Sequence, residues 1–173
     1  MLYIALAAAA GLIGLDQLTK ILIDSNMQLH QSIPIISFGD TNVLNITYER
    51  NPGAAFSILE GKQLFLILFT AVVIVVMLYL MLSKRVKKPK YIWSMSLIVA
   101  GGIGNLIDRV VDFIDVRIIN FAVFNVADIC AVLGALGLLL FVVADEIKEQ
   151  KNKRSAKKST AAGEIEKSTN EDK

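Results

Sequence analysis

Solid apolar blocks alternate along the chain with charge-dense stretches. Residues 64–82 run for 19 positions without a charge, residues 91–107 for 17, and residues 129–144 for 16, the last extended forward by Val126 and Ala127. Residues 1–15 are also uncharged, and their apolar pattern continues through Ile23, crossing only Asp16 and Lys20. A helix that crosses a hydrocarbon core of ~30 Å needs roughly 17–25 mostly apolar residues. Four spans are therefore predicted, at about 2–23, 64–82, 91–108 and 127–145. Tyr91 and Trp93 open the third as interfacial aromatic residues would. The first block lacks the basic leading segment of a cleaved signal peptide and runs on past its alanine-rich centre, so it reads as a retained span.

The polar stretches give direction. Residues 83–90 hold five Lys/Arg and no acid, and the tail from Lys148 mixes Lys with Glu. Four spans bring both termini and the basic loop to one side, which the positive-inside rule makes cytoplasmic. Residues 24–63 and 108–128 then lie outside. The first of these is long for a simple connection. Its two β-rich runs, 32–38 and 43–50, flank Gly39, Asp40, Thr41 and Asn42, the pattern of a hairpin or small curved sheet. The fold expected is an all-α integral membrane protein, a four-transmembrane-helix bundle with a small extracytoplasmic β-element between helices 1 and 2. Residues 1–147 form one membrane-embedded domain; 148–173, rich in Lys, Ser, Thr and Glu, are expected to be a disordered cytoplasmic tail.

Composition narrows the chemistry. With 54% hydrophobic residues and a mean hydropathy of +0.56, arranged in blocks rather than amphipathic stripes, the chain reads as a membrane protein. Its net charge of +2 conceals the segregation of its lysines, which marks topology and points to no nucleic-acid partner. Cys130 is the only cysteine and His30 the only histidine, which excludes an internal disulfide, a cysteine metal cluster and a multi-histidine site. No cofactor and no metal are expected.

Four polar clusters interrupt or border the apolar blocks: D-Q-L-T-K at 16–20, N-P-G-A-A-F at 51–56, G-G-I-G-N-L-I-D-R at 101–109, and V-D-F-I-D with F-N-V-A-D between 111 and 128. All fall on the outer half of the expected topology, and ionisable groups at that depth are costly without a purpose. Asp16 and Lys20 are spaced i, i+4 and can neutralise one another as a structural pair. Gly101, Gly102 and Gly104 allow a neighbouring helix to approach closely. Asn105, Asp108 or Arg109, and Asp112 would share one helical face if the third helix ran that far. Asn125 and Asp128 suit a helix N-terminus, although capping alone explains one of them and not both. Two carboxylates from different segments, Asp112 and Asp128, point to aspartic-protease chemistry, in which one acid and one base share a proton and activate water. A proton-coupled transporter subunit would also place acids in a small bundle, but would need a polar path through the cytoplasmic half, which is almost purely apolar. A non-enzymatic assembly subunit would use the glycine-rich helix and leave the Asn and Asp pattern unexplained.

The motifs D-x-x-T-K, N-x-G-x-A-F, G-G-x-x-N-x-x-D-R, V-D-F and F-N-x-A-D, in this order over about residues 10–145, closely resemble those of the bacterial lipoprotein signal peptidases (signal peptidase II). The resemblance implies a four-helix inner-membrane aspartyl protease that removes the signal peptide from diacylglyceryl-modified prolipoproteins. It implies Asp112 and Asp128 as the catalytic dyad; Asn51, Gly53, Asn105, Arg109 and Asn125 as residues that hold the substrate backbone or support the dyad; and Asp16 and Lys20 as structural. Asp108 is likewise expected to be a structural polar residue. The outer β-segment resembles the family's membrane-lying cradle. Partners are prolipoprotein substrates and lipid, and the chain is expected to be monomeric. One departure is visible. The family usually has a short extra stretch between D-R and V-D-F, whereas here Arg109 leads directly into Val110, Val111 and Asp112, with Asp115 as a reserve position for the first carboxylate.

Overall fold

The computed structural model describes residues 1–50, 63–108, 111–119 and 121–171. Helix α1 (Leu2–Asn26) leads into strands β1 (Ser32–Phe38) and β2 (Thr41–Arg50); α2 (Gln63–Leu82) and α3 (Pro89–Ile107) follow, then β3 (Val111–Val116), a 3-10 turn (Arg117–Ile119) and α4 (Val126–Glu171). The chain divides into two compact units, Met1–Gly137 and Leu138–Lys173. The first contains the sheet and those polar clusters that lie among the described residues. The second is helical to Glu171, where the composition led us to expect disorder from residue 148 onward. Lys, Glu, Gln and Ala there are good helix formers, and Glu149–Lys153 makes an i, i+4 ion pair of 2.6 Å.

Among the described residues three helices, α1, α2 and α4, are long and apolar enough to cross a membrane, the last over Val126–Lys153. They leave large apolar side chains exposed, among them Ile21, Leu68, Val75 and Leu136. Such surface is unfavourable in water and suited to lipid. Helix α3 is different: Ile92, Ser94, Met95, Ser96, Val99, Ala100, Gly101 and Gly104 are all buried. It packs against α1 and α2 and lies tight against the start of α4. A Cβ on Gly101 would stand 2.3 Å from the Ala127 carbonyl oxygen and 2.6 Å from the Ala131 nitrogen. Only glycine permits that approach, as at small-residue helix contacts in membranes.

The hairpin expected between the first two helices is present. Its loop is the two residues Gly39 and Asp40, with Gly39 at φ +59°, the left-handed conformation that tight hairpins need. The sheet is larger than expected: β3 pairs antiparallel with β2, giving the order β1-β2-β3. This corrects the idea that Asn105 and Asp112 continue one helical face. Helix α3 ends at Ile107, and Asp112 sits in β3 opposite Glu49. Three residues separate the helix from the strand.

Candidate active site

Two sets of polar contacts fix the ends of the helices that carry the site. In the first, Asp16 and Lys20 on α1 are each 1% exposed and paired at 2.9 Å. The other carboxylate oxygen of Asp16 accepts the Ala127 amide at 2.8 Å, one of the first amides of α4, which have no partner inside their own helix. Lys20 Nζ donates to the Asp108 carbonyl at 2.5 Å, just past the end of α3. Gln17 Nε2 donates to Asp16 Oδ2 at 3.0 Å and to the Gly104 carbonyl at 3.1 Å. A single turn of α1 thus ties the C-terminal end of α3 to the N-terminal end of α4.

The second set joins α4 to the sheet. Phe113 and Ile114 both donate their amides to the Phe124 carbonyl, at 3.0 and 2.8 Å, and the Phe124 amide returns to Ile114 at 3.1 Å. The residue after Phe124 is thereby held beside β3. That residue is Asn125, which is fully buried and sits at the centre of a cluster. Its Nδ2 donates to Asp112 Oδ1 at 2.7 Å and to Asn105 Oδ1 at 3.4 Å. Its Oδ1 accepts the Asp128 amide at 3.0 Å, and its own amide donates to Asp128 Oδ2 at 3.1 Å. This reciprocal pair is a capping box, in which cap and third helical residue satisfy each other's amides. Asn105 Nδ2 completes the cluster by donating to Asp128 Oδ1 at 2.8 Å.

Four of the residues singled out in the sequence, Asn105, Asp112, Asn125 and Asp128, are therefore in one hydrogen-bonded group drawn from α3, β3 and the start of α4. Asp16 and Lys20 form a buried pair, and Asp108 takes part through its carbonyl. Asn51, Gly53 and Arg109 lie outside the described residues. Asp115 points elsewhere, accepting from Thr47 and Arg117. Chemically, the arrangement offers two carboxylates, each one hydrogen bond from Asn125, with amide donors that orient them without adding charge. Gln17 was not anticipated. Its only signal was its place beside Asp16 inside an apolar block. The Phe124 contact is made by main-chain atoms and left no side-chain signal at all.

A largely helical membrane protein that gathers two aspartates at the junction of a small sheet and two helix ends has the makings of a membrane-embedded enzyme. Comparison gives the family. The model of the signal peptidase (SPase) II family matches residues 8–144, and the chain belongs to that family. It is similar to the lipoprotein signal peptidase of Brevibacillus brevis, at 41% identity over 82% of this chain and 96% of the relative. It is also similar to that of Enterococcus faecalis, at 38% identity over 88% and 96%. Among solved structures, a bacterial membrane enzyme determined by the in meso method superposes with a TM-score of 0.74 at 32% identity, covering 82% of this chain and 88% of the other.

Proposed function

We propose that Asp112 and Asp128 are the catalytic dyad of an intramembrane endopeptidase that removes signal peptides from diacylglyceryl-modified prolipoproteins, cutting on the N-terminal side of the lipidated cysteine. Signal peptidase II proteins are aspartic endopeptidases, and this chain is one of them. The observation that carries the assignment is Asn125, which donates from its side chain to Asp112 and from its main chain to Asp128. Such a pair divides the work of hydrolysis. The ionised carboxylate takes a proton from a water whose oxygen attacks the scissile carbonyl carbon. The protonated partner hydrogen-bonds and then protonates the carbonyl oxygen. When the C–N bond breaks, the leaving nitrogen takes a proton and the new carboxyl end departs. The dyad acts as one titrating unit, so neither role belongs to a residue in isolation.

We take α3 as a fourth span. Its serines, its glycines and Asn105 lower its hydropathy, and much of this polar surface is buried among other helices rather than offered to lipid. With Lys84, Arg85, Lys87, Lys88 and Lys90 between α2 and α3 on the cytoplasmic side, both termini are cytoplasmic and the dyad lies near the outer leaflet of a bacterial cytoplasmic membrane. Asn51, Gly53 and Arg109 support substrate or dyad by family resemblance, and the chain works as a monomer on lipid-anchored substrates. The test is cleavage of a lipidated precursor by the purified protein in detergent. Asp112→Asn and Asp128→Asn should each lose about 10²–10⁴-fold or more in activity while still inserting into membranes. Full activity in Asp112→Asn would remove it from the dyad.

A further inference from the structure

We infer that Asp115 is a positioning residue: through a closed ring of hydrogen bonds across all three strands it fixes the strand that carries Asp112. The inference rests on the dyad proposed above. Asp115 Oδ2 accepts from Thr47 Oγ1 at 2.7 Å and from Arg117 Nε at 2.7 Å. Ser32 Oγ and Thr47 Oγ1 are 2.7 Å apart. Thr47 has one hydroxyl proton and gives it to the carboxylate, so Ser32 is the donor between the two hydroxyls. Ser32 Oγ in turn accepts from Asn45 Nδ2 at 2.9 Å and from Arg117 Nη2 at 3.2 Å. The circuit Arg117, Ser32, Thr47, Asp115 and back to Arg117 is complete, and every link has a consistent donor and acceptor. Asn45, Thr47 and Asp115 are buried, which strengthens such bonds and makes a broken one costly.

The ring compensates for a weakness in the ladder. Ser32 faces Thr47 across β1 and β2, and Asn45 faces Asp115 across β2 and β3. A slip of one residue would turn every one of these side chains to the other face. Between Ile46 and Glu49 the β2–β3 register shifts, so the ladder is irregular between the pair that places Ile114 and the pair that places Asp112. Asp112 and Asp115 are three apart on a strand and project to opposite faces. Asp115 is thus placed to hold β3 from one face while Asp112 reaches Asn125 from the other. On its N-terminal side the strand is tethered only a few residues away, where Lys20 holds the Asp108 carbonyl.

The full chain in detergent, with Asp115→Ala, Asp115→Asn and Thr47→Val variants, tests this by two readouts. Amide hydrogen exchange over 111–116 should accelerate at least about tenfold in Asp115→Ala and in Thr47→Val, with helix amides unchanged. On the lipidated precursor, kcat should fall by about 100-fold in Asp115→Ala with KM little altered, as expected of a misplaced catalytic group. Asp115→Asn, which still offers Thr47 an acceptor, should recover most of that loss. Unchanged β3 exchange in Asp115→Ala and Thr47→Val overturns the inference whatever the activity. So does faster exchange with full kcat, or an Asp115→Asn variant as inactive as Asp112→Asn with β3 still protected. Should the unaltered protein fail to cut the precursor, the functional reading falls, and the exchange data still decide whether the ring holds the strand.

Discussion

Replacing Lys20 with Met should be among the most damaging single changes in the chain, and pairing it with Asp16→Asn should undo much of the harm. Lys20 is fully buried and has two identified partners, the Asp16 carboxylate at 2.9 Å and the Asp108 carbonyl at 2.5 Å. Met fills a similar volume, so packing is nearly conserved and the loss is electrostatic. It leaves a buried carboxylate that keeps, among the described residues, Gln17 and the Ala127 amide as donors. Removing one member of a buried pair costs about 3–5 kcal/mol, whereas neutralising both is often close to neutral. The Asp108 carbonyl also loses a donor in either variant that lacks Lys20, at about 1–3 kcal/mol. In the double variant the amide side chain introduced by Asp16→Asn would keep an oxygen for the Ala127 amide and bury no charge. The cycle should therefore show a coupling of about 2–3 kcal/mol. Reversible unfolding in mixed detergent micelles, titrating the denaturing detergent, measures all four corners. Additivity within about 0.5 kcal/mol would refute the view that this pair is the clamp between α3 and α4.

Three other outcomes are expected. Gly101→Ala should destabilise by about 1–3 kcal/mol or more, because its Cβ meets backbone atoms of α4 at 2.3 and 2.6 Å. Gly102→Ala, which meets the flexible end of Ile74 at 2.9 Å, should be neutral or slightly stabilising through helix propensity; equal losses in the same unfolding assay would count against the packing described. Burial, and then the hydrogen bond to Asp24, raise the Tyr48 phenol above its ordinary value of 10.0. The folded state holds that proton more tightly, so the contribution is complete below pH 10 and is lost as the pH climbs through the raised value. Stability followed from pH 8 to 11 should fall in the unaltered protein and lose that component in Tyr48→Phe. Finally, only the diacylglyceryl-modified form of a precursor should be cut efficiently, since each acyl CH₂ kept from water is worth about 0.8 kcal/mol of anchoring; comparable cleavage of the unlipidated form at equal concentration in lipid would show that the chains do not set the register.

The sequence was most informative where a single rule dominated. Apolar length marked α1, α2 and α4, with only Asp16 and Lys20 interrupting the first before Ile23, and the residues around Gly39 and Asp40 marked the hairpin. It was least informative at β3. Val111–Val116 buries side chains on both faces, so it lacks the polar alternation of a surface strand, and the Asn and Asp spacing across residues 105–112 imitates a helical face. The choice between Asp112 and Asp115 turns on strand parity, which becomes visible only once the pairing with β2 is known. The cluster itself was half legible. Asn105, Asp112, Asn125 and Asp128 stood out as amides and acids bordering apolar runs, yet what gathers them is the main chain of Phe124 and a capping box at the start of α4.

The position of Asp16 and Lys20 in the first helix has a consequence for biogenesis. Asp16 bonds a residue 111 positions later, and Lys20 one that is 88 positions later. At ordinary rates of synthesis those partners emerge roughly 5–20 s afterwards. Throughout that interval α1 carries a carboxylate and an ammonium whose partners on the later segments have not yet been made. Their i, i+4 spacing lets each neutralise the other from the moment the helix forms. The spacing therefore favours insertion of the one helix before the pair fastens two others. A chain lacking Lys20 alone would be depleted at the translocon, so the amount of protein reaching the membrane would drop before folding or activity could be measured.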